Sequence, residues 1–230
     1  MNENSKKSLV EETAHKIATM IADKAYSTGQ KLPNEYELAE YLDVGRNTIR
    51  EAVRALVSRN ILVIKRGAGT FVSQKTGISD DPLGFMFIEN KNKALLDLIE
   101  VRFILEPPIA SLAAQNASPE DISHLGEICH KMEKTLATGA DPTDKDIEFH
   151  IQIATCSKNI VVPRLVPIIN TAITAFTSIE AHKVVATTLA HHREIYEAIR
   201  DHRSHDAQDA MMLHLAYNRN KIRKNISDET

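Results

Sequence analysis

The sequence has no tryptophan, only two cysteines in 230 residues, and just 5% aromatic side chains. Cys129 and Cys156 fall in helix-like segments without CxxC spacing, so neither a disulfide framework nor a zinc knuckle is predicted and both thiols read as packing residues. No stretch of about 18 uninterrupted apolar residues occurs, which excludes a membrane-spanning helix. The opening MNENSKKSLVEE lacks an apolar signal core, and the expected location is the cytoplasm. Low-complexity tracts and internal repeats are missing. Beyond residue 75 there are no runs of strand character, which argues against a sheet in the second half. A strongly basic balance is missing too: 28 Lys plus Arg against 31 Asp plus Glu give a net charge of −3.

That overall charge conceals a division. Residues 1–75 hold 12 Lys plus Arg against 9 Asp plus Glu, a net of +3, while the remainder holds 16 against 22, a net of −6. A basic reader and an acidic partner domain are expected. The polar, Gly- and Pro-containing stretch TGISDDPLG, residues 76–84, reads as a linker between them. A chain of 230 residues is long enough to bury more than one core.

In the first part, Leu9, Val10, Ala14, Ile17, Ala18, Ile21 and Ala25 recur at three- and four-residue spacing, which predicts an amphipathic helix over 8–27. Asn34, with Glu37 three residues later, makes a capping box for a short helix carrying Leu38, Ala39 and Leu42. Asp43, Val44 and Gly45 then turn the chain into a second helix over 46–59. On that helix Arg46, Asn47, Arg50 and Arg54 share one face, while Ile49, Val53 and Leu56 share the other. A helix that is basic on one side and apolar on the other suits a DNA major groove, although a solvated basic face would show the same periodicity. Residues 61–65 and 70–73 are β-rich and flank Gly67, Ala68 and Gly69, which predicts a two-stranded wing. No βαβ unit or further glycine follows, so this Gly-x-Gly is not read as a phosphate loop.

After the linker, helical periodicity runs over 95–114, 121–136, 143–156, 162–178, 187–201 and 204–224. The fold class expected is mainly α: an N-terminal winged helix-turn-helix of three helices plus a β-hairpin in residues 1–75, and an all-α antiparallel bundle of six or seven helices in residues 85–230. Pro107 and Pro108 are expected to kink the first bundle helix.

Nine of the ten histidines lie beyond residue 100. His124, His130, His182, His202 and His205 stand in mixed polar surroundings and are read as solvated or capping. Asp146 and His150 are four apart on a face continued by Ile153 and Ala154. His214 shares a face with Ala207, Ala210 and Met211, and either His191 or His192 is within reach of the stripe formed by Ile195 and Ile199. Any one of these reads as a hydrogen-bonded core histidine. Several inward ligand-type residues on three helices point instead to a divalent metal such as zinc, nickel or manganese, with zinc first among them.

Two resemblances sharpen these readings. LPNEYELAE, GRNTIREAV and GAGTFV, in order and correctly separated, resemble the LPSERELAE, SRTTVREAL and GxGTFV motifs of the GntR superfamily of bacterial transcription regulators, over residues 8–73. The resemblance implies operator contacts from Arg46, Thr48 and Arg50 and a close approach at the wing tip, Gly67, with Asn47 as a base reader. Tyr36 stands where an arginine often contacts DNA, and Gly45 where serine or threonine is usual, so operator sequence does not carry over. DIEFH, HHREIYEAI and MMLHL resemble the DxxxH, EHRxIxxAI and MxxHL pattern of the FCD effector domain in the FadR-like branch. That resemblance implies Asp146, His150, His192 and His214 as metal ligands, with His191 in a place usually held by glutamate. Asn159, in the place of a family SGN, is left outside the site as a helix cap.

It further implies a small carboxylate effector, such as a sugar acid or hydroxy acid. Arg102, in EVRFILEPPIASLAA, is expected either to pair with that carboxylate or to bridge to Glu106 one turn away. The expected function is a homodimeric repressor binding a pseudo-palindromic double-stranded operator. A metal-responsive regulator without an organic effector is the alternative. A metal-dependent enzyme ranks below both, because no general base is placed by spacing.

Overall fold

The computed structural model describes residues 8–23, 25–75, 77, 81–176 and 186–228. The chain divides into two compact units, residues 1–82 and 83–230.

In the first unit, α1 (Leu9–Ala22), α2 (Glu35–Leu42) and α3 (Arg46–Ser58) precede a hairpin of β1 (Leu62–Lys65) and β2 (Gly69–Val72). Local chemistry starts the helices. Ser8 with Glu11, and Asn34 with Glu37, each form a complete capping box, satisfying backbone N–H groups that the first turn leaves free. Asp43 ends α2 in the left-handed conformation, φ 53°. The apolar faces then meet: Ile17, Leu38, Ile49, Leu56 and Leu62 are almost completely buried in one core. The strands pair antiparallel in the register Leu62 with Val72 through Lys65 with Gly69.

The first helix is shorter than its periodicity predicts, stopping at Ala22 where residues to 27 were expected. Tertiary pairing accounts for the difference. Gly29 N–H donates to Val72 O, Leu32 N–H to Thr70 O, and Val72 N–H to Gln30 O, while Lys31 bridges to Phe71. Residues 29–32 thus extend along the wing, and the chain must leave the helix early enough to reach it.

The second unit opens with a 3-10 turn (Phe85–Phe87) and contains six α-helices among the described residues: α4 (Lys91–Asn116), α5 (Pro119–Ala137), α6 (Thr143–Cys156), α7 (Val162–Phe176), α8 (Ala186–Arg200) and α9 (Ser204–Asp228). The helix expected over 162–178 is described to Phe176; its last two residues, and His182, lie outside the described residues. The central helix α4 packs against α6, α7, α8 and α9, and α5 packs against α6 and α8. Both Pro107 and Pro108 lie inside α4, which continues past them for another two turns. Ala110, Leu125, Met132, Phe149, Ile195 and Met211 fill the core. Cys129 and Cys156 are free and buried within it, and burial pushes their thiols up to about 12 and about 11, so they stay protonated apolar fillers.

Candidate functional site

Two groups of side chains stand out, one in each unit. On α3, Arg46 and Asn47 are exposed, and Thr48 and Arg50 half-buried, while Ile49, Ala52, Val53 and Leu56 anchor the opposite face. The preceding helix holds the arginines. The Arg46 guanidinium lies 3.5 Å from the centroid of the Tyr36 ring, a cation–π contact. Arg50 donates to Glu35 through Nη2 at 2.8 Å and Nε at 3.3 Å. That hydrogen bond is the main reason the Glu35 carboxyl titrates below its ordinary value. Farther along, Arg54 pairs with Glu51. Gly67 sits at the exposed hairpin tip with φ 76°, a conformation glycine adopts without strain, and nothing crowds the place of its missing Cβ. Spacing does not reveal Glu35 and Tyr36 as holders of the basic face, because these contacts depend on how α2 packs against α3.

In the second unit, α6 supplies Asp146 and His150, α8 supplies His192, and α9 supplies His214. All four are buried, at 5%, 2%, 1% and 0% exposure. One ring nitrogen from each of His150, His192 and His214 lies within 4.8 Å of the others. Asp146 is not part of that trio; its Oδ1 reaches it through His192 Nε2, 3.2 Å away, without the alignment of a hydrogen bond. His191 meets the rings of both His214 and Tyr217 edge-on.

Each trio member has one nitrogen engaged by a neighbour. His150 Nδ1 is 2.8 Å from Glu106 Oε2, His192 Nδ1 is 3.2 Å from Met132 Sδ, and His214 Nε2 is 3.1 Å from the Asn218 amide. The nitrogens left over, His192 Nε2 and His214 Nδ1, are buried without a hydrogen-bond partner. Orphaned buried polar atoms are costly, and a site built to bind something is a common reason for them. Burial lowers the His192 imidazole to about 3 against the pull of Asp146, and lowers His214 well below its ordinary value, so both rings are neutral near pH 7. Neutral imidazole is the metal-binding form. A divalent ion about 2.0–2.1 Å from each nitrogen would set them about 3 to 4 Å apart, so the trio needs only a small contraction. The donor set fits such an ion.

Arg102 is 3% exposed and makes the contact with Glu106 that helical spacing allowed, with Nε at 2.6 Å from Oε1 and Nη2 at 3.0 Å from Oε2. Its Nη2 also lies 3.1 Å from His150 Nε2 and 3.3 Å from Nδ1. Despite burial, Arg102 and His150 hold the Glu106 carboxyl well below the usual carboxylate range. The contact of Glu106 with His150 escaped the sequence reading because the two are forty-four positions apart. Among the other histidines, His124, His130 and His205 are exposed, and His202 bonds Ala114 O at 2.8 Å beyond the end of α8. Asn159 accepts from Val161 and Val162 N–H at the start of α7, as a cap does.

Comparison with known proteins now decides the family. Residues 9–72 match the profile of bacterial regulatory proteins, gntR family, and residues 97–217 match the FCD domain. The chain belongs to the GntR family. A solved Streptococcus agalactiae GntR structure is 42% identical, covers 92% of this chain and 99% of its own, and superposes with a TM-score of 0.81. The Uxu operon transcriptional regulator of Escherichia coli (strain K12) is 31% identical over 67% of this chain. The HTH-type transcriptional repressor NanR of Klebsiella aerogenes is 27% identical, over 92% of this chain and 84% of its own length. The chain spans only 60% and 61% of the lengths of two Escherichia coli operon regulators that it matches. This GntR-family chain carries a gntR-type region followed by an FCD domain. No helix among its described residues is long and apolar enough to cross a membrane.

Proposed function

We propose that this GntR regulator is a cytoplasmic, homodimeric repressor whose operator affinity is controlled by a small carboxylate held at a metal centre in its FCD domain. The observation that carries the effector part is the trio of buried imidazoles, with two nitrogens lacking any hydrogen-bond partner and held neutral by burial. Asp146, His150, His192 and His214 would hold the ion, with zinc ahead of nickel or manganese for a nitrogen-rich set. The bound ion would supply positive charge and Lewis acidity for one carboxylate oxygen. Arg102, against His150, would orient a second oxygen of the effector. A relative of similar length, NanR, is named as a repressor, which supports that sign of regulation.

On the DNA side, Arg46, Thr48 and Arg50 would touch the operator backbone and groove, Asn47 would read a base edge, and the Gly67 tip would approach the backbone. Two copies would meet a pseudo-palindromic site. The segment 76–84 would be the linker through which a change in the bundle alters presentation of the reading heads; residues 76 and 78–80 lie outside the described residues. By linkage, operator binding must weaken effector binding by the same factor, typically about 5–150-fold.

The test is binding of a fragment of adjoining promoter DNA by purified protein of known metal content, across a panel of sugar acids and hydroxy acids. Release by one acid, abolished by EDTA, is expected. Should metal alone control binding, the effector reading fails and the protein is a metalloregulator.

A further inference from the structure

Glu106 makes two contacts that belong to different tasks. It neutralises Arg102 one helical turn away, which already balances the buried charge. Its Oε2 also stands 2.8 Å from His150 Nδ1, on another helix. An ionised carboxylate only accepts hydrogen bonds and a guanidinium only donates. Glu106 therefore asks for a proton on Nδ1 of His150; Arg102 Nη2, 3.1 Å from Nε2 and 3.3 Å from Nδ1, lies between the two ring nitrogens and selects neither. Arg102 acts instead on Glu106. Through the bidentate bond between them, the two groups also fix each other's placement. Metal-binding histidines as a rule give their other N–H to a carboxylate or carbonyl, which sets the ring's orientation and strengthens it as a ligand.

We infer that Glu106, braced by Arg102, is the positioning residue of the metal centre: it takes the Nδ1 hydrogen of His150 and turns the Nε2 lone pair toward His192 and His214. This rests on the reading of the histidine trio as a metal site.

The tautomer is read first, on the full chain stripped with chelator, by nitrogen-15 NMR of the histidine rings with His150 assigned by its loss in His150→Gln. An Nδ1–H ring is expected, and an Nε2–H ring overturns the inference. Next, zinc affinity is measured by competition with a chromophoric chelator. The Arg102→Met/Glu106→Leu variant, which replaces the buried pair by apolar groups, is expected to bind zinc about 10–100-fold more weakly. If that variant does not fold, Glu106→Gln carries the same test, since it keeps the shape and loses the charge. A pair with a merely structural role would lower the melting temperature and leave tautomer and zinc affinity unchanged, which would refute the assignment. Failure of the wild-type chain to take up zinc, nickel or manganese would sink the metal reading instead, while the tautomer on stripped protein would still decide the role of Glu106.

Discussion

Lowering the pH should destabilise the metal-free protein, and the size of the effect can be worked from two side chains. His192 is buried and lowered to about 3, and His214 is lowered in the same direction for the same reason. In the unfolded chain both rings titrate near 6.5. Between pH 6.5 and the folded values, the unfolded chain binds protons that the folded chain refuses. Stability is thus fully present above pH 6.5 and lost as the pH falls below it. Each group contributes a slope of up to about 1.4 kcal/mol per pH unit. From pH 7.5 to 5.5, most of one unit is effective for each ring, so the pair removes about 2–3 kcal/mol. For a protein of this size that is a fall in melting temperature of about 5–10 °C. Scanning calorimetry of chelator-treated protein at pH 7.5, 6.5 and 5.5 reads it directly, and His192→Phe should flatten the dependence by about half. A melting temperature unchanged across that range would show that the two rings are not held buried and neutral, and the argument for a preformed metal site would lose its basis.

Other perturbations separate the two units. Arg46→Ala or Arg50→Ala should weaken operator binding while leaving the thermal transition unchanged, and should reduce the salt slope by about one unit per lost phosphate contact; normal binding would mean that α3 is not the reading helix. Tyr36→Ala removes the ring under Arg46 and is expected to cost about 0.5–1 kcal/mol, or roughly two- to fivefold in operator affinity, whereas Tyr36→Phe should behave as wild type in gel-shift titrations. His214→Ala should abolish zinc-dependent stabilisation, seen as loss of the melting shift when zinc is added to stripped protein. At the core beneath the histidines, Phe149→Ala should destabilise by about 3–5 kcal/mol in urea titrations, since Phe149 is fully buried against the His192 ring.

Much of this protein is legible in local order. Asn34 and Glu37 announce a helix start because capping is settled within one turn, and the alternation of Arg46, Asn47 and Arg50 with Ile49, Val53 and Leu56 assigns the faces of α3 because helical angle depends only on spacing. The same rule places Asp146 and His150 on one face, and their burial follows. Contacts between elements are another matter. The early end of α1 is imposed by residues 29–32 pairing with β2, and periodicity within the helix carries no trace of that competition. The hold of Tyr36 on Arg46 and the meeting of three imidazoles from α6, α8 and α9 depend on how helices cross. Arg102 shows the division within a single side chain. Its bond to Glu106 follows from a four-residue spacing, but the approach of both to His150 required the bundle to close, because no rule of local geometry reaches from one helix to another.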